Sequence, residues 1–268
     1  MSSEARPVTW VLERDVFPDA IFDAMCAHLR NRDLPLRTVT ISAGEIDGRA
    51  PRLEGAVVCY GSIGMAEIAE RQGWKPGVFS DPERFNYEAY REALGDLILN
   101  PDAERLPLSQ VPAHIQSRGL DTFFIKPNDD AKAFAGTTMR PGDFEAWVSR
   151  LRQIGYLDDQ DFDVVVSAPR QIGREWRFVV VDGEIVEASL YKQNGEAMIE
   201  RQRDAAVEAV VREAHGRFEP APIYVIDIAE ADDALKVVEY NTFNSASLYA
   251  CDAGRVIDAV SAYVASHD

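Results

Sequence analysis

The sequence predicts an α+β protein that begins with a small open α/β sheet. Two observations predict this organisation. Up to about residue 118, short apolar strands alternate with amphipathic helices. From about residue 119, strands follow one another through short turns such as Asp182-Gly183. We therefore expect one unit over 1–118 and a second over 119–268, the latter divided into lobes near 119–168 and 169–268.

The elements of the first unit follow from apolar spacing and from residues that start helices. Pro18 favours a helix start, and Ile21, Phe22, Met25 and Leu29 follow it at helical spacing. The predicted strands are 8–12, 36–41, 55–60 and 97–99. The predicted helices are the one starting at Pro18, then 65–72, 83–94 and 108–117. This alternation is typical of an open sheet with helices packed on it.

The second unit is predicted from β-branched and aromatic runs bounded by turn residues. The predicted strands are 122–125, 163–167, 176–181, 184–191, 225–229 and 236–240. The predicted helices are 144–154, 205–215 and 256–265. Because Asp182-Gly183 and Asp232-Asp233 each provide a two-residue loop between strands, we expect two β-hairpins here.

The composition restricts the class of protein. The chain has 268 residues and a formal net charge of -17, so a broad basic surface for nucleic acid is not expected. No apolar run approaches the roughly 18 residues that a membrane-spanning helix needs. The three cysteines lack metal-binding or disulfide spacing. We expect a cytoplasmic protein without nucleic-acid or membrane partners, and the oligomeric state stays open, a homodimer being one alternative.

Three oxygen-bearing residues lie on two neighbouring predicted strands. Glu239 and Asn241 share one face of their strand, and Asp227 joins them if the two strands pair. Two carboxylates and an amide oxygen form a hard site of the kind that holds Mg²⁺ on nucleotide phosphates. The alternative is that these residues are solvated strand ends.

Positively charged residues at strand ends suggest an anion site. Lys126 ends the strand 122–125 and can reach an anion as a point charge. The loop 128–138 contains Lys132 with small residues and threonines, whose backbone amides and hydroxyls can cover phosphates. The alternatives are a surface lysine and a mobile turn.

The first hairpin carries a third group of charged residues. Glu175 and Arg177 share a face, while Trp176 points to the other. Lys192 ends the partner strand, so the hairpin brings Arg177 and Lys192 to one region if both point into a cleft. The competing interpretation is a structural ion pair with Glu175.

The order of these motifs resembles the ATP-grasp superfamily, over roughly 121–251, with 7–116 resembling the α/β domain that precedes it. The resemblance rests on Ile125-Lys126-Pro127, the small-residue loop, the strand 163–167, Glu175-x-Arg177, Lys192, Asp227 and Glu239-x-Asn241. It implies an ATP-grasp fold, with two α+β lobes around ATP. Two features depart from the family pattern: residues 132–138 replace the usual Gly-rich loop, and the hinge lacks its usual acidic residue.

The resemblance also implies roles for single residues. Lys126 and Lys192 would hold the ATP phosphates, with Lys132 and Glu175 also at the nucleotide. Ser167 and Ala168 would offer backbone groups to adenine. Asp227, Glu239 and Asn241 would bind Mg²⁺. Arg177, and with it Lys192, would act on the transferring phosphoryl group.

These roles imply an ATP- and Mg²⁺-dependent ligase that activates a carboxylate as an acyl phosphate for attack by an amine and releases ADP. The acid and the amine would be small molecules or peptides. A small-molecule kinase using the same site and a nucleotide-binding module without turnover are the alternatives. A Rossmann-type cofactor domain is disfavoured because its glycine fingerprint is absent.

Two further expectations concern the substrate side. Asn244, Ser245 and Ser247 follow the metal motif, and we expect them to line the acceptor side of the cleft. Gly61-Ser62-Ile63-Gly64 precedes a helix and could hold a carboxylate, but a tight strand-to-helix turn is the favoured interpretation.

Overall fold

The computed structural model describes residues 7–130, 133–153 and 161–267. The first sheet and its neighbours comprise β1 (Thr9–Glu13), α1 (Asp19–Asn31), β2 (Leu36–Val39), β3 (Ile41–Ser42), β4 (Glu45–Ile46), β5 (Ala56–Tyr60), α2 (Met65–Gln72) and β6 (Lys75–Gly77). The sheet is parallel, in the order β2-β1-β5-β6, and β3 and β4 form a separate hairpin. Strands β1 and β5 are buried throughout because α1 packs on one face of the sheet and α2 on the other.

The second sheet is antiparallel. Its region comprises α3 (Tyr87–Leu94), β7 (Glu104–Pro107), α4 (Val111–Arg118), β8 (Phe123–Pro127), β9 (Thr137–Met139), α5 (Phe144–Gln153) and β10 (Asp163–Ser167). The strand order is β7-β10-β8-β9. Phe123 and Ile125 of β8 point into a core with α4 and α5, so the alternating Phe124 and Lys126 point the other way.

The third sheet is also antiparallel. Its region comprises β11 (Ile172–Val181), β12 (Glu184–Gln193), β13 (Glu196–Arg201), α6 (Ala205–Arg217), β14 (Ile223–Ala231), β15 (Ala234–Thr242) and α7 (Ala253–His267). The strand order is β13-β12-β11-β14-β15. Trp176 and Phe178 belong to the core that α3 and α6 form with one face of this sheet.

The other face of the third sheet has two parts. At one end, Val179 and Val225 pack with Trp10 of the first sheet and with α7. At the other end, the residues on this face are polar, and they include Arg177 and Asp227. The fold therefore anchors the third sheet to the first at its apolar end and leaves the polar end facing the second sheet.

Most predicted elements are present, and the differences have local causes. The helix predicted at 83–94 begins only at Tyr87, because Asn86 caps it by accepting the Ala89 N–H. The strand predicted at 97–99 is wrong: the segment is a turn in which only Ile98 makes a bridge to Val237. Strands β6, β7, β9 and β13 were not predicted, since they are short or polar and depend on neighbouring strands.

Among the described helices, none is both long and apolar enough to cross a membrane. Strand β7 and helix α4 precede the expected boundary at residue 118, yet they belong to the second sheet and its core.

Candidate active site

A cavity of about 990 Å³ lies between the second and third sheets. Its walls come from β8 and the following loop, from β10, and from β11, β12 and β15. A cavity of several hundred Å³ or more can enclose a small molecule of nucleotide size. The polar end of the third sheet forms one wall of it.

Three charged residues form a row across the third sheet in this cavity. Arg177 of β11 is paired with Asp227 of β14, and Asp227 is paired in turn with Glu239 of β15. Asn241 lies two residues beyond Glu239 on the same strand, and its Nδ2 donates to Asp227 Oδ2 at 3.3 Å. The pairing of β14 with β15 thus brings together the three residues predicted as metal ligands.

Arg177 and Asp227 form a buried ion pair. The Arg177 Nε donates to Asp227 Oδ1 at 2.9 Å, and Nη2 donates to Oδ2 at 2.7 Å. Burial lowers the pKa of Arg177, but the charge and hydrogen bonds of Asp227 outweigh this and raise it above its ordinary value. Burial raises the pKa of Asp227, and Arg177 opposes that shift. Because the guanidinium donates to both carboxylate oxygens, we regard the pair as ionic.

A second ion pair joins the two sheets across the cavity. The Lys126 Nζ lies 3.2 Å from Glu239 Oε2, and it also lies 5.2 Å from the centre of the Tyr87 ring. Only 11% of the Lys126 side chain is exposed. Lys126 is therefore a positioned cation of the cavity wall and not the surface lysine of the alternative interpretation.

A third ion pair joins Lys192 to Glu175, with Nζ 3.2 Å from Oε1. The Tyr191 hydroxyl donates to the other oxygen of Glu175 at 3.0 Å. Glu175 is buried, whereas 42% of the Lys192 side chain is exposed. Both the cleft interpretation and the ion-pair interpretation of the hairpin hold, since these residues line the cavity and are paired with each other.

Two β-bulges direct consecutive side chains into the cavity. Glu175 is paired with Lys192 but Trp176 with Leu190, so Tyr191 is an extra residue on β12. Asp227 is paired with Glu239 but Ile228 with Val237, so Val238 is an extra residue on β15. A bulge changes which face a side chain points to. Tyr191 and Val238 consequently line the cavity beside Lys192 and Glu239.

The other predicted nucleotide-binding residues are more varied in position. Ser167 is buried at the end of β10 and is paired with Phe124, and Ala168 follows it; neither belongs to the cavity lining. Lys132 lies outside the described residues. Gly136 lines the cavity, and a Cβ atom there would lie 2.6 Å from the Phe124 ring, so the close approach of this loop requires glycine.

The family assignment follows from a family model that matches residues 65–260. That model describes an ATP-grasp domain, the third family of its clade. The chain belongs to the ATP-grasp family. The match includes the cavity and all three predicted metal ligands. No curated protein sequence matches the chain.

Solved structures show the same ATP-grasp fold. D-cycloserine synthetase DcsG has a TM-score of 0.65 at 17% identity, with 96% of this chain and 99% of that chain covered. D-alanine–D-alanine ligase from Bacillus anthracis complexed with ATP has a TM-score of 0.63 at 14% identity, with 97% and 98% covered. The ligase PsnB complexed with minimal precursor, Mg and ADP has a TM-score of 0.56 at 16% identity, with 96% and 97% covered.

The ATP-grasp site contains residues that sequence reasoning missed. They line the cavity and are Tyr87, Asn100, Asp130, Arg170, Tyr191 and Tyr249. Tyr191 and Tyr249 stack with ring centres 4.9 Å apart, and the Arg177 Cζ lies 5.0 Å from the centre of the Tyr249 ring. Asp130 Oδ2 accepts the backbone N–H of Thr242 at 2.8 Å. The available signal was proximity in sequence to predicted residues, as for Tyr191 beside Lys192.

The expectation that Asn244 lines the acceptor side of the cleft is wrong. Asn244 is buried, its Oδ1 accepts the Phe79 N–H at 2.6 Å, and its Nδ2 donates to the Cys59 carbonyl. The Asn244 carbonyl also accepts the Gly61 N–H at 2.8 Å. Asn244 therefore joins the end of β15 to the first sheet.

The turn at Gly61 is filled by the protein itself. Glu13 Oε2 accepts the Ser62 N–H at 2.6 Å, and a Cβ atom at Gly61 would lie 2.4 Å from the Glu13 Cβ. The structure thus agrees with the favoured interpretation, a tight turn whose N–H is already bonded to a carboxylate.

Proposed function

We propose that this ATP-grasp protein is an ADP-forming ligase, dependent on ATP and Mg²⁺, that activates a carboxylate as an acyl phosphate and joins it to an amine. The observation that carries the proposal is a set of three ion pairs in one cavity. The pairs are Lys126–Glu239, Arg177–Asp227 and Lys192–Glu175. A cavity with fixed charges of both signs is suited to a triphosphate and its metal ion together.

The donor set fits Mg²⁺. Asp227, Glu239 and Asn241 offer carboxylate and amide oxygens, which are the ligands that this ion takes in proteins. Within the described ranges, no cluster of three His, Cys, Asp or Glu side chains is arranged as a metal site, and here the third donor is an amide. When bound, Mg²⁺ would offset phosphate charge.

The cations would change partners when the nucleotide binds. Lys126 would leave Glu239 for a phosphate oxygen, and Lys192 would do the same from Glu175. Arg177 has five N–H donors, of which Asp227 takes two and the Ser247 carbonyl one, at 3.1 Å. The remaining donors would stabilise the transferring phosphoryl group.

The reaction would have two steps. A carboxylate oxygen of the acid attacks the γ-phosphorus of ATP, the bond to the β–γ bridging oxygen breaks, and ADP leaves. The amine nitrogen then attacks the acyl carbon of the acyl phosphate, the bond to the phosphate oxygen breaks, phosphate leaves, and the amine loses a proton to solvent. The chain would orient the reactants, with no covalent enzyme adduct.

Further nucleotide contacts belong to the same proposal. Ser167 and Ala168 would offer backbone groups near adenine. Thr137 and Thr138, in the cavity wall, would cover phosphates, with Lys132 in the same loop. The substrates would be small molecules or peptides, which is supported by structural neighbours that include a D-alanine–D-alanine ligase and a ligase with a precursor peptide.

The test is a screen of carboxylic acids and short peptides with ATP, Mg²⁺ and hydroxylamine. We expect at least one acid to give ADP and a hydroxamate in equal amounts. AMP with pyrophosphate, or a stable phosphorylated alcohol, would assign the protein to another class of enzyme. ATP binding without product for any acid would indicate a module without turnover.

A further inference from the structure

One end of the cavity combines an apolar lining with two polar side chains. Leu99, Val165 and Val238 contribute apolar surface, and Asn100 and Arg170 are the polar neighbours. Arg170 lies three residues after Ser167, at the connection between the second and third sheets. Apolar walls from both sheets are suited to a planar base, and Lys126 and Glu239 provide the polar wall elsewhere.

Arg170 fixes the orientation of the Asn100 amide. The Arg170 Nε donates to Asn100 Oδ1 at 3.2 Å, and its Nη2 donates to Asp102 Oδ1 at 2.7 Å. Because arginine can only donate hydrogen bonds, the amide oxygen must face Arg170 and the NH₂ group must face away from it.

The Asn100 backbone is held as firmly as its side chain. Its carbonyl accepts the Tyr87 hydroxyl and also the Ala103 N–H, the latter at 3.1 Å. Only 9% of Asn100 is exposed. Among the described residues, none accepts a hydrogen bond from its Nδ2. Asn100 thus presents a rigid, nearly buried and unused donor at the cavity wall.

We propose that Asn100 is a nucleotide-specificity residue whose side-chain N–H donates to a ring nitrogen of adenine. This inference rests on the nucleotide binding in the proposed function. A buried donor without an acceptor is costly, so the bound ligand should supply one. The ring nitrogens of adenine are acceptors, whereas its exocyclic amino group is a donor.

Asn100→Asp is the decisive variant. It keeps an oxygen for Arg170 and replaces the NH₂ donor by an acceptor, so the unliganded protein should keep its melting temperature. The matched control is Asn31→Asp, since Asn31 is exposed at the end of α1 and does not line this cavity.

The experiment is calorimetric titration of both variants and the wild type with ATP, its 1-deaza, 3-deaza and 7-deaza analogues, and 2′-deoxy-ATP. We expect one deaza analogue to bind the wild type and Asn31→Asp about five to ten times more weakly than ATP, as for loss of one hydrogen bond. In Asn100→Asp the same analogue and ATP should agree within about twofold.

Equal binding of ATP and all three deaza analogues by the wild type would overturn this inference alone. So would a loss confined to 2′-deoxy-ATP, or selectivity that survives in Asn100→Asp. Absence of ATP binding by the wild type would instead overturn the proposed function and this inference together.

Discussion

The charged residues of the cavity show how adjacent strands specify a site. Asp227 and Glu239 were predicted together because strand alternation and pairing of two neighbouring strands are legible in the sequence. Their partners were not: that Arg177 pairs with Asp227, and Lys126 with Glu239, depends on β11 lying beside β14 and on the second sheet facing the third. Such contacts between distant segments are set by tertiary packing.

Removal of one partner of the Arg177–Asp227 pair should be strongly destabilising. Both side chains are buried, so Arg177→Met or Asp227→Asn alone leaves a charged or polar group without its partner. We expect either change to lower the free energy of unfolding by about 3–5 kcal/mol. The double variant Arg177→Met/Asp227→Leu should lose less than the sum. Urea denaturation measures this, and single variants within about 1 kcal/mol of the wild type would contradict a buried ionic pair.

At the scale of elements, most helices and long strands were predicted, but the bulges were not. Periodicity at two residues assigns Tyr191 and Val238 to the faces opposite Lys192 and Glu239. Each bulge inserts one residue and returns both members of the pair to the cavity. A bulge depends on the register with the neighbouring strand, so a single strand sequence does not reveal it.

The turn between β14 and β15 offers a test of local strain. Asp232 and Asp233 both have positive φ, 50° and 62°. Glycine is the preferred second residue of such a turn, because a Cβ atom is disfavoured there. We expect Asp233→Gly to raise the free energy of unfolding by roughly 0.5 kcal/mol, measured by urea denaturation.

The reverse change provides the control for this turn. Gly195 has φ of 83° with no atom near its missing Cβ, so Gly195→Asp should lower the free energy of unfolding by a similar amount. A loss of stability in Asp233→Gly would show that its carboxylate has a role other than closing the turn.

At the scale of the whole molecule, the three sheets have different relations to the site. The first and third sheets share a core that includes Trp10 and Val225, and Asn244 bonds them together at the end of β15. The sequence predicted the α/β and α+β units, but it could not show this shared core. It therefore placed Asn244 in the cleft, since only the packing of the sheets reveals that its amide is used between them.

The second sheet has its own core and contributes Lys126 to the cavity. A nucleotide with its metal ion would lie between this sheet and the carboxylates of the third. Because Lys126 and Glu239 are paired with each other across the cavity, we expect metal and nucleotide to bind cooperatively: each would compensate the charge from which the other separates its partner.

The most direct test is therefore calorimetric titration of ATP with and without Mg²⁺ into the wild type, Glu239→Gln and the control Glu230→Gln, whose glutamate pairs with Arg174 and does not line the cavity. We predict that Mg²⁺ strengthens ATP binding at least about tenfold in the wild type and the control, and that Glu239→Gln removes most of this gain. Equal Mg²⁺ dependence in all three proteins, or no ATP binding by the wild type at millimolar concentration, would contradict the assignment of this cavity as the metal and nucleotide site.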